Sequence, residues 1–174
     1  MDSLHNPHTM MASTPAMTMT LRMQQDEATF RDQSGVAYAE HGKRLVRCNN
    51  LSVRCYTVRP GTRNIDDDAF EDCGQLQKVV LPDTVVRIGD WAFYRCQALE
   101  TLVVPSSVTT IGDRAFSHCK SLKSLLLVGP VKSIGDYAIL SCDALERILI
   151  PRGSRASYQA KLPPLYWPLL KESL

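Results

Sequence analysis

From residue 56 onward the apolar residues fall into short units of a fixed pattern. In Leu99-Glu-Thr-Leu-Val-Val-Pro105 alternation points Leu102 and Val104 inward, while Thr101 and Val103 face outward. That period of two predicts a strand. Pro105 ends it, because proline brings no N–H to a continuing ladder. Val108 and Ile111 supply a second apolar pair on a short extended stretch. Gly112-Asp113 predicts a turn, with Asp113 as the N-cap of a brief helical turn that carries Ala115 and Phe116. Cys119 and Leu122 close the unit.

The unit recurs every 23 residues. Phe70, Phe93 and Phe116 share one register, whose next step is Ile139. The same step links Cys73, Cys96, Cys119 and Cys142; Leu76, Leu99, Leu122 and Leu145; Ala69, Ala92, Ala115 and Ala138; and Ile65, Ile88, Ile111 and Ile134. Pro82 steps to Pro105, Val128 and Pro151. One such coil cannot bury its own apolar face, whereas copies stacked ~4.8 Å apart bury each other in columns of like residues.

These residues resemble the BspA-like leucine-rich repeat family, whose repeat is a hydrophobic strand ending in Pro followed by S-V-T-x-I-G-x-x-A-F-x-x-C-x-S-L. The run from Pro105 to Leu122 matches it nearly throughout. Gly35-Val-Ala-Tyr38 with Gly42-Lys-Arg-Leu-Val-Arg47 resembles the β-hairpin that opens such arrays, and Pro151-Arg-Gly-Ser-Arg-Ala-Ser-Tyr158 resembles the closing segment with its short helix. The resemblance implies a leucine-rich repeat solenoid of short parallel β-strands and brief helical turns, with about four 23-residue coils. The expected division is a disordered leader at 1–34, a hairpin cap at 35–55, the repeat array at 56–150 and a C-terminal cap at 151–174. Two units depart from the pattern. The first is one residue short between Pro60 and Ile65 and has Asp66 where the others have Gly; the fourth has Val128-Gly-Pro130 and Ile139 in place of Phe.

The leader is set apart by composition. All six methionines lie in the first 23 residues, and Met1–Thr20 contains no Val, Ile or aromatic residue. No period there could bury a face, so it reads as unstructured. It lacks the basic and apolar regions of a signal peptide, which gives a cytoplasmic expectation; cell-surface or secreted placement is the alternative that the family implies. Translation starting at Met23 is a second explanation of the leader.

The chain is 44% hydrophobic and 22% charged, with a formal net charge of +2, which excludes wholesale disorder and gives no bulk attraction to nucleic acid. Its two basic and four acidic residues before position 35 leave eighteen and fourteen after it, a mildly basic body. No apolar run approaches the ~18 residues of a membrane span.

Six cysteines raise disulfide, metal and catalytic readings. Four of them form the repeat column, which predicts buried free thiols, and no C-x-x-C pair supports zinc. Cys48 and Cys55 flank a turn at Asn49-Asn50 and stand as a candidate bridge in an oxidising compartment. His118 beside Cys119 lacks a third orienting group, so an exposed loop histidine is expected. Asp66, Asp67, Asp68, Glu71 and Asp72 lack calcium-loop spacing and read as a solvated acidic surface with capping roles. His5, His8 and the leader methionines read as accidental spacing rather than a soft-metal tail. No catalytic, metal or cofactor site is expected.

The outward face of the strands is the candidate binding surface. By alternation it carries Thr57 and Arg59, Lys78 and Val80, Thr101 and Val103, Ser124 and Leu126, then Arg147 and Leu149. Val80, Val103, Leu126 and Leu149 form an apolar stripe rimmed by Arg59, Lys78 and Arg147; such stripes mark partner sites, although aliphatic columns also stabilise a sheet by cross-strand packing alone. The expected function is a non-catalytic module that binds a protein or glycan, with adhesion as the use the resemblance implies. The alternative is a structural scaffold that self-associates. Neither nucleic acid nor membrane insertion is expected.

Overall fold

The computed structural model describes residues 29–172. The expectations for positions 1–28, the histidine and methionine tail among them, lie outside the described residues.

The described residues open with three antiparallel strands, β1 (Phe30–Arg31), β2 (Val36–Ala39) and β3 (Arg44–Cys48). Strand pairing therefore starts at Phe30, inside the segment read as leader. Beyond β3 the chain winds as a solenoid with two rows of parallel strands. The long row begins with β4 (Cys55–Thr57) and the short row with β5 (Asn64–Ile65), which pairs with β3. Successive coils add β6 (Lys78–Val80) and β7 (Arg87–Ile88), β8 (Thr101–Val104) and β9 (Thr110–Ile111), then β10 (Ser124–Leu127) and β11 (Ser133–Ile134). β12 (Arg147–Ile150) follows in the long row. Pairing across coils keeps the repeat register, as in Leu102 opposite Leu125 opposite Ile148.

A third row consists of turns closed by i+3 to i bonds, such as Cys73 N–H to Phe70 O at 3.1 Å. Neighbouring turns are stitched together: Trp91, Phe93 and Arg95 N–H donate to Asp113, Ala115 and Ser117 carbonyls at 2.9, 2.7 and 3.0 Å. Between the rows the columns pack as the period predicts. The Phe70, Phe93 and Phe116 rings follow one another at 5.1 and 5.9 Å, all buried.

The Gly-Asp pair plays a different part from the one expected. Asp113 does not cap its own turn. Its Oδ1 accepts the Asp136 N–H of the next coil at 2.8 Å, just as Asp90 serves Asp113 and Asp67 serves Asp90, each at 2.9 Å. The glycine makes room for this approach: a Cβ on Gly112 would stand 2.5 Å from the Asp90 backbone nitrogen and would overlap its carboxylate. The departures in the first and fourth units have the same kind of cause. No coil precedes the first, so Asp66 takes the glycine position and pairs with Arg44 of β3 at 2.6 Å. In the fourth, a Cβ on Gly129 would lie 2.5 Å from the Ser106 carbonyl oxygen.

Among the described residues, elements outside the repeat pack against both ends. At the start, Tyr38 and Tyr56 hydroxyls meet at 2.6 Å, and Tyr56 donates to Asp32, tying the hairpin to the first coil. At the other end, α1 (Arg155–Gln159) and a 3-10 turn (Pro164–Leu169) lead to β13 (Leu170–Glu172), which pairs in parallel with β12. Tyr158 reaches into the core and donates to Gly129 O at 2.5 Å. Arg155 anchors β13 through its backbone N–H to Glu172 (2.8 Å) and its guanidinium to Leu170 O (2.9 Å). The long row thus holds six strands among the described residues.

Candidate binding face

The outward side chains of the long row form two columns. Register places Cys55, Lys78, Thr101, Ser124 and Arg147 in one, and Thr57, Val80, Val103, Leu126 and Leu149 in the other. Lys78, Thr101 and Arg147 are exposed, Val80 and Val103 are 43% and 45% exposed, and Leu126 and Leu149 are half-buried. The stripe is thus most open in the second and third coils.

Two residues differ from the expectation. Ser124 is buried, because Arg147 folds back across it and donates from Nε to its Oγ at 3.1 Å. Arg59 is not on the sheet face. The outward pair of the first strand is Cys55 and Thr57, and Arg59 lies past the strand end with its guanidinium over the Phe30 ring at 5.0 Å. The extra residue of that coil falls between strand and proline (Val58-Arg59-Pro60 against Leu81-Pro82), so the strand ends before Arg59 although alternation continues to it.

The long row is not continuous. β4 pairs with β6, while β8, β10, β12 and β13 follow one another in a second sheet, so β6 and β8 belong to separate ladders. In the paired steps the Arg54 carbonyl accepts from Gln77 and Lys78 N–H at 2.7 and 3.1 Å, and the Glu100 carbonyl from Lys123 and Ser124 at 2.8 and 3.4 Å. The corresponding Gln77 carbonyl receives no backbone N–H from the third coil. A groove of about 490 Å³ opens at this seam, lined by Gln77, Lys78, Val80, Glu100, Thr101 and Val103. It carries an apolar pair, Val80 and Val103, with Lys78 and Glu100 toward the start of the two strands, where Glu100 also pairs with Lys123 at 3.7 Å.

The other candidates resolve into structural roles. Cys96, Cys119 and Cys142 are buried, and each thiol donates to the phenylalanine carbonyl of the preceding coil, at 3.2, 3.1 and 3.2 Å. Burial pushes the Cys142 thiol up to about 12 and raises Cys96 and Cys119 as well. Cys48 and Cys55 are both free: Cys55 is exposed, whereas Cys48 is buried and its Sγ donates to Asn50 O at 3.5 Å. Four of the five clustered acids face arginines: Asp66 pairs with Arg44, Asp67 with Arg87 at 2.7 Å, Glu71 with Arg47 at 3.3 Å and Asp72 with Arg95 at 3.6 Å. Among the described residues no group of three or more such side chains could hold a metal ion. His118 is half-buried and stands edge-on to Tyr94 at 5.4 Å.

A surface cluster on the turn row escaped the sequence reading. Trp91, Arg114 and Tyr137 occupy one column with positive φ, and the Arg114 guanidinium sits over both rings, at 5.9 and 5.2 Å. The period marks that column, but its residues share no type.

The BspA type leucine rich repeat region matches residues 48–159, in six copies. The chain belongs to the BspA-type leucine-rich repeat family. No curated protein matches it. Among solved structures it is similar to a leucine-rich repeat protein from Eubacterium ventriosum (22% identity, TM-score 0.67, covering 72% of this chain and 34% of that one). One from Bacteroides ovatus is 25% identical with a TM-score of 0.60, over 72% and 32%. A leucine rich cell surface protein from Faecalibacterium prausnitzii is 21% identical with a TM-score of 0.55, over 76% and 39%. The chain thus spans about a third of the length of these relatives. Proteins of this repeat class generally mediate binding or adhesion and are generally non-enzymatic. No helix among the described residues is long and apolar enough to cross a membrane.

Proposed function

We infer that this chain is a non-catalytic binding module that takes a protein partner on the outward face of its long strand row. The hairpin and the closing segment serve as end caps. The observation that carries this reading is the seam groove, where Val80 and Val103 stay nearly half exposed beside Lys78 and Glu100. Exposed apolar surface with a charged rim is costly to leave in water and is the usual core of a protein interface. Lys78, Thr101 and Arg147 supply the polar rim, and Leu126 and Leu149 extend the stripe toward β12. Arg59 and Ser124 drop out of this surface for the reasons above.

The test is a photo-reactive side chain at position 103 in the full chain, expressed in its own cells. The expected result is a cross-link to one protein species, lost when Val80→Asp is added. Both positions are exposed, so the folded state survives the change. Cross-links only to a second copy of the chain would replace this reading with self-assembly, and cross-links to glycan would replace the partner class. Absence of any cross-link would sink the surface.

A further inference from the structure

We propose that the last turn, residues 135–141, is a second docking edge, which binds a peptide that takes up the turn conformation of this chain's own Gly-Asp-x-Ala segments. The molecule itself shows what such an edge accepts. In each earlier coil, three alternate N–H groups of the turn donate to alternate carbonyls of the following turn, as Arg114, Phe116 and His118 do to Asp136, Ala138 and Leu140 at 3.0, 2.8 and 2.8 Å. Each earlier aspartate also accepts the N–H of the next one. The last turn repeats this array with Tyr137, Ile139 and Ser141 N–H and the Asp136 carboxylate. Among the described residues none of these four groups has a hydrogen-bond partner in that role.

The closing segment does not fill the place. It caps the long row with β13, whereas beside the last turn it leaves a groove of about 400 Å³, walled by Tyr137, Ile139 and Leu140 on one side and Leu162, Leu165 and Tyr166 on the other. Leu165 is 75% exposed and Tyr137 56%. Tyr166 donates to Ile139 O at 3.2 Å, which fixes the wall without taking a bond from the three N–H groups. A peptide turn laid along the row would give its carbonyls to Tyr137 and Ile139, give one N–H to Asp136, and set an apolar side chain between Leu140 and Leu165. Main-chain bonds supply affinity in this mode, and the side-chain groove supplies selectivity. The site is separate from the strand face and does not depend on it.

The probe is a synthetic octapeptide, Thr-Ile-Gly-Asp-Arg-Ala-Phe-Ser, the sequence of residues 110–117. It is added to the full chain while amide hydrogen exchange is followed residue by residue. The Tyr137, Ile139 and Ser141 amides should exchange fast in the free protein and slow by about tenfold or more when the peptide saturates. Leu140→Glu with Leu165→Glu, both at exposed positions, should weaken binding about tenfold or more without moving the unfolding midpoint. Val80→Asp should leave it unchanged. Protection of these amides already in the free chain would overturn the proposal, as would equal binding by a scrambled peptide or by the double glutamate variant.

Discussion

At the level of single residues, the Gly-Asp pair shows how far a repeat motif can be read and where reading stops. The Ile-Gly-Asp spacing is visible in the sequence, and its apolar neighbours follow from period alone. The partner of Asp113 is not, because it lies one whole coil away and no local window contains both groups. Local capping was the nearest available explanation, and the structure replaces it with a ladder running along the solenoid: Asp67 to Asp90 to Asp113 to Asp136. Gly112 follows from that ladder. Substituting it by alanine should cost about 2–4 kcal/mol, because the new Cβ meets backbone as well as a side chain and cannot be relieved by moving a rotamer. Urea unfolding of Gly112→Ala against the parent chain measures this. A loss under about 0.5 kcal/mol, the range of an ordinary surface change, would mean that the coils separate easily at the turn row.

Among elements, the legible ones are those that repeat. Strands β6, β8 and β12 lie where alternation and proline put them, β10 lies where alternation alone does, and the cysteine column is buried as its register requires. β13 was not legible: Leu170-Lys-Glu carries no column residue and pairs with β12 one residue short of the 23-residue step, Ile148 opposite Leu170. The seam between β6 and β8 was equally hidden, since Val80 and Val103 sit in perfect sequence register across it. The first coil hides a third feature, the outward Cys55, because alternation alone does not show where the strand ends and carries the face on to Arg59. That placement has a chemical consequence. The column thiols are buried and donate to carbonyls, and burial holds Cys96, Cys119 and Cys142 above the ordinary thiol range, so the reactive thiolate is scarce at neutral pH. Iodoacetamide applied to the native chain near neutral pH should therefore label Cys55 rapidly and the three column thiols only after unfolding; peptide mass spectrometry reads the site. Early labelling of Cys119, at the centre of the stack, would show that the coils open locally.

The whole molecule is a one-dimensional stack, so its stability depends on what covers the two ends. Each interior coil is buried by two neighbours, but the last relies on a segment of different sequence, in which Tyr158, Leu162 and Leu170 take over the role of column residues. Arg155 holds that segment by bonding both the backbone and the side chain around β13, which makes strand and helix one unit. Deleting residues 151–174 removes the unit as a whole. It leaves Ile148 and Ile150, now fully buried, on an uncovered strand edge with unpaired backbone groups. Exposed apolar edge strands pair with whatever strand they meet. The expected outcome is loss of monomer: size-exclusion chromatography with light scattering should show large aggregates for the truncated chain where the full chain gives one defined species. The strand face offers a control, because Val80 and Val103 are exposed in the complete chain as well and cannot account for a difference between the two. A truncated chain that stays monomeric and folded would mean that β10 and β12 are self-sufficient, and the closing segment would then be free to act in recognition alone.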